Sequence, residues 1–62
     1  MLRYTLKNDF ACYDNQKLKR FKKGTVFILD RVKLKYVCEG TDIVLDLETV
    51  RSHASFFKLL KD

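Results

Sequence analysis

The stretch that decides the fold of this chain is LKRFKKGTVFIL, residues 18–29. From residue 25 to residue 32 the chain is dense in Val, Ile, Phe and Leu, the composition of a central β-strand. Ahead of that strand, Phe21 needs burial whereas the two lysines after it stay in water. Gly24 then supplies the positive φ angle at which a chain can turn. The stretch therefore predicts a turn that leads into the central strand of a small β-sheet.

Alternation of apolar and polar residues predicts further strands on both sides of this stretch. Residues 2–6 and 43–47 alternate as half-buried strands do, and residues 56–60 indicate a closing strand. A short extended piece is expected at residues 10–13. Residues 32–38 alternate as well, but neither Gly nor Asn separates them from the strand before. A tight hairpin and one long bent strand both remain open there.

Two segments, residues 17–23 and 47–54, lack the alternation of apolar and polar residues that is typical of a strand. Only two of the seven residues at 17–23 are apolar, which predicts an irregular loop, since a helix there would be short and without an apolar stripe. Leu47, Val50 and Ala54 recur at i, i+3 and i+7, the spacing of one helical face. We therefore expect one short helix or 3₁₀ turn before the last strand, with Asp46 as its cap.

Length and composition predict one small domain over residues 1–62. Hydrophobic residues make up 47% of the 62 residues, enough for a dense core without a metal or a disulfide. The longest apolar run, residues 26–29, is far too short to cross a membrane. No apolar leader is visible at the start of the sequence. We expect a cytoplasmic protein.

The residues that could carry chemistry are few. Cys12, Cys38 and His53 provide three candidate metal ligands without paired spacing, fewer than the four of a structural zinc site. Both cysteines adjoin apolar residues, which favours buried free thiols over a disulfide. Nucleophilic catalysis needs a thiol beside an oriented base, and the sequence gives no reason for these residues to meet. We expect no enzyme activity, no catalytic residue, no metal site and no cofactor.

The order of predicted elements is a strand, a long loop, three strands, a helical turn and a final strand. In that order, residues 18–29 resemble the diverging turn and second strand of SH3 domains. The chain is similar to small SH3-like barrel proteins encoded by phages and prophages of Gram-positive bacteria, through residues 22–25 and residues 57–60. The resemblance implies a mainly β protein, a five-stranded SH3-like barrel with one short helical turn before the last strand.

Peptide recognition of the eukaryotic SH3 kind is not implied by this resemblance. Residues 11–14 echo the Ala-Leu-Tyr-Asp-Tyr motif only faintly, and the chain has no tryptophan and no proline. The aromatic groove that grips polyproline II peptides is therefore not encoded. The resemblance concerns fold and origin and assigns no activity.

The formal net charge of +5 is concentrated in one segment. Residues 17–35 contain eight basic residues and one acidic residue, a net charge of +7. On one side of a barrel these side chains would track phosphates. The predicted nucleic-acid-binding residues are Lys17, Lys19, Arg20, Lys22, Lys23, Arg31, Lys33 and Lys35.

Apolar residues on both faces of the central strand point to a protein partner. Phe27 and Leu29 share one face, and a small barrel cannot bury both faces completely. Phe56 and Phe57 are adjacent, so in a strand they point to opposite faces, and a small barrel would again have to bury apolar side chains on both faces. We expect Phe27, Leu29 and Phe57 to contribute an exposed apolar patch, a feature of protein-binding sites or self-association. The leading hypothesis is a protein-binding module, and the alternative is a nucleic-acid-binding protein that uses residues 17–35.

Overall fold

The computed structural model describes residues 2–14 and 16–60. Within them the strands are β1 (Arg3–Leu6), β2 (Phe10–Asp14), β3 (Lys17–Phe21), β4 (Val26–Asp30), β5 (Lys35–Cys38), β6 (Val44–Asp46) and β7 (Phe57–Leu60). A helix, α1 (Leu47–Ser52), and a 3₁₀ turn (Ala54–Phe56) precede β7.

Five of these strands form one antiparallel sheet in the order β6-β5-β4-β1-β7. They correspond to the five strands expected from alternation, so the mainly β prediction is confirmed. In the register, Phe27 of β4 lies between Tyr4 of β1 and Cys38 of β5. Among the described residues β6 and β7 are the two edges of the sheet and do not pair with each other, so the sheet is open.

Most of residues 17–23 form the strand β3, so the expectation of an irregular loop there is wrong. β3 pairs with β2 as a separate two-stranded antiparallel sheet, from Phe10 opposite Phe21 to Asp14 opposite Lys17. Because basic residues occupy both faces of β3, the polar–apolar alternation is hidden in the sequence. Phe10, Cys12 and Phe21 on one face of this hairpin are buried.

A tight hairpin, and not one bent strand, joins β4 to β5. Residues 31–34 form the turn. The Asp30 carboxylate replaces the missing Gly or Asn, because its Oδ1 accepts hydrogen bonds from the backbone N–H groups of Val32 (3.0 Å) and Lys33 (3.1 Å). Val32 and Leu34, which the alternation placed in a strand, are exposed in this turn.

Leu34 has a backbone conformation that costs free energy. Its φ of 56° lies in the left-handed region, which costs a residue with a β-carbon roughly 1–2 kcal/mol. Asn tolerates that region better. We expect Leu34→Asn to stabilise the fold by about 0.5–1 kcal/mol, a rise of about 2–8 °C in Tm for a domain of this size. Thermal unfolding followed by circular dichroism measures the shift.

The matched control for this prediction is Val32→Asn, two residues earlier in the same exposed turn. Val32 has an ordinary negative φ, so its replacement should change the unfolding free energy by no more than about 0.5 kcal/mol. A lower Tm for Leu34→Asn would show that the leucine side chain stabilises the turn by more than the strain it carries.

The turn before β4 has the conformation that the sequence predicts. Gly24 has a φ of 91°, and its backbone N–H donates to the Leu6 carbonyl oxygen at 3.0 Å. The Thr25 hydroxyl donates to the Lys22 carbonyl oxygen at 2.7 Å. The first bond fastens the turn to β1, and the second closes the turn itself.

The inner face of the sheet, the β2–β3 hairpin and the helical segment enclose one core. Phe27 and Leu45 have no exposed surface, and the ring of Phe27 meets Phe21 and Phe57 at centroid distances of 5.1 and 5.7 Å. The buried hydrophobic residues are Leu6, Phe10, Cys12, Phe21, Phe27, Tyr36, Cys38, Leu45, Val50 and Phe57. Both cysteines are buried free thiols, as the sequence favoured.

The predicted helical segment at residues 47–54 is confirmed as α1 followed by the 3₁₀ turn. Val50 is buried, as its spacing indicates. Asp46 stands at the N-cap position but makes no side-chain capping bond. Its Oδ1 lies 3.7 Å from the Lys35 Nζ, so it forms a cross-strand ion pair.

Candidate functional site

The basic residues predicted to bind nucleic acid lie on three separate elements. The β2–β3 hairpin carries three, the turn before β4 carries two, and the β4–β5 hairpin carries three. In chain order they are Lys17, Lys19 and Arg20, then Lys22 and Lys23, then Arg31, Lys33 and Lys35. The second and third groups stand at opposite ends of β4, about 17 Å apart for five residues at ~3.3 Å each. That separation exceeds the screening length of about 8 Å at physiological salt.

Two of these basic side chains have partners within the fold. The Lys19 Nζ donates a hydrogen bond to the Val44 carbonyl oxygen at 2.9 Å and so links the hairpin to β6. Lys35 pairs with Asp46. Arg31 and Lys33, in contrast, are exposed, and among the described residues no carboxylate forms an ion pair with either.

Two of the three residues predicted to form an apolar patch lie in the core. Phe27 is fully buried and Phe57 is nearly so, which corrects the expectation that they are exposed. The physical reason is that the hairpin and the helical segment cover the inner face of the sheet, to which both rings point. Leu29 is partly buried against the core and also lines a surface groove.

Exposed apolar side chains are found instead at the end of the β4–β5 hairpin. We call residues 31–34 the β4–β5 tip. Val32 is 93% exposed and Leu34 is 60% exposed. A groove of about 710 Å³ adjoins the tip, and we call it the β4–β5 groove; it is lined by Leu2, Ile28, Leu29, Asp30, Arg31 and Val37. The tip and the groove meet at Arg31 and form one continuous surface.

A second surface lies on the outward side of the β2–β3 hairpin. We call it the hairpin face, and it comprises Ala11, Tyr13, Leu18, Arg20 and Lys22. Tyr13 is 74% exposed and stands opposite Leu18, while Ala11 stands opposite Arg20. A groove of about 460 Å³ runs beside Ala11, Leu18, Arg20 and Lys22. An aromatic ring, an aliphatic side chain and two cations therefore share this face.

The candidate catalytic residues are divided between two places. Cys12 and His53 line one groove between β2 and α1, together with Glu48, whereas Cys38 is buried in β5. His53 is half-buried: its Nδ1 donates to the Thr49 carbonyl oxygen at 2.8 Å, and its ring meets Phe10 at a centroid distance of 5.0 Å. These contacts serve the packing of α1.

Metal ligands do not cluster in the described part of the chain. Within residues 2–14 and 16–60, no group of three or more His, Cys, Asp and Glu side chains is arranged to hold a metal ion. In the same residues, neither helical segment has the length and hydropathy of a membrane span.

One titratable core group has a shifted pKa. Burial raises the pKa of Tyr36 above its usual value of 10.0, and the neighbouring Tyr4 ring, at a centroid distance of 5.5 Å, acts in the same direction. The folded state therefore resists ionisation of Tyr36, whereas the unfolded chain ionises near pH 10. The stability that this difference gives is present below that pH and is lost as the pH rises above it.

We therefore expect the free energy of unfolding to fall as the pH rises above about 10, and to fall less steeply in Tyr36→Phe, which cannot ionise. Urea denaturation of both proteins at neutral and alkaline pH measures the two slopes. Equal slopes would show that Tyr36 does not govern the alkaline loss of stability.

The exposed side chains of the hairpin face and of the β4–β5 tip are hard to identify from the sequence. Tyr13 stands in a short extended piece whose partner strand, β3, lacks the alternation of a strand, so the sequence pattern does not assign the outward direction of the ring. Val32 and Leu34 continue the alternation of β5, and only the turn centred on the Asp30 carboxylate removes them from the strand.

Comparison with protein-family models, with curated proteins and with solved structures gives no match to this chain.

Proposed function

We propose that this chain is a non-enzymatic binding module that contacts another protein through the β4–β5 tip and groove. The observation that carries the proposal is the near-complete exposure of Val32 beside the exposed Leu34. Most isolated surface hydrophobic residues need no explanation, but here two of them share one tip, and Arg31 of that tip lines a groove that also has four apolar lining residues. A convex apolar tip beside a groove suits the irregular surface of a protein.

Charge determines which kind of partner fits this surface. Arg31 and Lys33 flank the aliphatic side chains and have no carboxylate partner among the described residues. A partner with Asp or Glu beside an apolar cleft would complement them. A second copy of this chain would bring two cationic tips together, so we favour an acidic partner protein over self-association.

The proposal extends to the fold and origin of the chain. Three features support an SH3-like barrel: the strand order β6-β5-β4-β1-β7, a hairpin inserted between β1 and β4, and a helical turn before β7. The phage or prophage origin rests on the resemblance of residues 22–25 and 57–60. A cytoplasmic location stays a prediction, which the two free thiols favour.

Photo-crosslinking tests the docking surface and captures the partner in the same step. A benzophenone amino acid is placed at position 32 in the tip or, as the matched control, at the exposed position 58 on the edge strand β7. We expect a protein adduct from position 32 that position 58 does not give. Mass spectrometry of the adduct should place the crosslink in a segment rich in Asp and Glu, and Arg31→Glu should reduce its yield.

Three outcomes would overturn the proposal. The first is equal adducts from positions 32 and 58. The second is an adduct between two copies of this chain, together with a dimer by light scattering. The third is binding to anionic phospholipid vesicles that Val32→Ser abolishes, which would assign the tip to a membrane surface.

A further inference from the structure

We propose that the hairpin face binds single-stranded nucleic acid, with Tyr13 stacking on a base and with Arg20 and Lys22 contacting phosphates. This site is separate from the β4–β5 tip and goes beyond the protein-binding function. It also differs from one basic surface over residues 17–35, because it uses a single hairpin and an aromatic ring outside that segment.

The exposed ring of Tyr13 is the first observation behind this site. The chain has eight aromatic residues, three Tyr and five Phe, and all lie within the described residues. Tyr13 alone among them is exposed; the other seven are buried or half-buried. Its cross-strand partner Leu18 is also exposed, so an aromatic and an aliphatic side chain are neighbours in the register of this face. Base stacking on such a ring is tolerant of sequence, since every base has a π-face.

The arrangement of charge on the same face is the second observation. Arg20 lies in β3 and Lys22 follows the end of that strand, and both line the groove on this face. Among the described residues neither forms an ion pair. The nearby carboxylate of Asp9 is engaged, because its Oδ1 accepts from the Lys23 backbone N–H at 2.8 Å.

The combination of ring and charge favours a single strand over a duplex. A base can stack on Tyr13 only when it is unpaired, since the bases of a duplex are already stacked on each other. The groove beside Ala11, the small residue opposite Arg20, is also lined by Leu18, the cross-strand neighbour of Tyr13, and offers a path for a backbone along the two cations. The β4–β5 tip offers no ring, which is why the two surfaces are assigned different ligands.

Fluorescence polarisation with labelled oligo(dT) and oligo(U) of about 12 nucleotides tests the site. We expect binding at about 50 mM salt that weakens steeply by about 200 mM. Tyr13→Ala should weaken binding by about 5- to 150-fold, the loss of one stacked base, and Tyr13→Phe should retain most of the affinity. Arg20→Gln should reduce the slope of log affinity against log salt by about 0.7, the value for one phosphate contact on a single strand.

The matched control for charge is Arg31→Gln, which removes one positive charge at the far end of β4 and should leave the salt slope unchanged. Absence of binding at the lowest salt would overturn the inference. So would equal losses for Tyr13→Ala and Arg31→Gln, or duplex binding that equals single-strand binding and is insensitive to Tyr13→Ala. None of these outcomes depends on the crosslink at position 32, so this site and the proposed function fail independently.

Discussion

Phe27→Ala is expected to unfold this protein at room temperature. The ring has no exposed surface and packs edge-on against Phe21 and Phe57. Truncation of a buried Phe costs about 3–5 kcal/mol, the lost transfer free energy plus the cavity left behind. A single core in a chain of this length supplies no more than about 3–5 kcal/mol of stability. The near-ultraviolet circular dichroism and the dispersion of amide resonances should both be lost.

Ile28→Ala is the matched control for this substitution. Ile28 follows Phe27 in β4 but points to the outer face of the sheet, where it is half-buried opposite Val37. We expect the variant to remain folded, with a smaller loss of stability. If both variants stay folded with similar unfolding free energies, the inner face of the sheet is not the principal core.

Phe10→Ala is expected to have the second largest effect on stability. Phe10 is buried at the base of the β2–β3 hairpin, and its ring meets His53, Phe56 and Phe57 at centroid distances of 5.0–5.6 Å. It therefore joins the hairpin to the helical segment and to β7. We expect a loss of about 3 kcal/mol by urea denaturation, at the lower end of the range for truncation of a buried Phe. If the variant folds, the amide protons of β2 and β3 should exchange faster with solvent than those of β4 and β5.

Tyr13→Ala is the matched control on the same strand. Tyr13 points away from the core, so its truncation should change the unfolding free energy by no more than about 0.5 kcal/mol. The same measurement establishes that the variant used in the nucleic-acid test is folded. Equal destabilisation by Phe10→Ala and Tyr13→Ala would contradict the assignment of inner and outer faces to the hairpin.

The five strands of the sheet could be predicted because each of them alternates or is uniformly apolar. Gly24 could be predicted to turn the chain because glycine alone among the common residues adopts a φ near 90° without strain. β3 could not be predicted because basic residues stand on both of its faces. Its pairing with β2 places Phe10 opposite Phe21, and both side chains are buried in the core that the whole fold encloses.

The binding surfaces were less predictable than the sheet, for a reason that β4 illustrates. Its two faces are both apolar, so the sequence could not tell which face is covered. The hairpin and helical segment cover the face that carries Phe27, and the face that carries Ile28 borders the β4–β5 groove. Leu29 alone among the predicted protein-contact residues lines that groove. The residues at the tip were hidden because the Asp30 carboxylate forms a turn where Gly or Asn was expected.

The central claim is that the β4–β5 tip contacts a partner protein. The affinity of the crosslinked partner for the Val32→Ser variant tests it most directly. Val32 is 93% exposed, so its replacement leaves the fold unchanged and removes only the surface offered to a partner. Burial of a Val side chain contributes about 1.5–3 kcal/mol, so titration calorimetry should show a loss of about 10-fold or more in affinity, with Lys58→Ser as the unaffected control. An affinity for Val32→Ser equal to that of the unmodified chain would contradict the account.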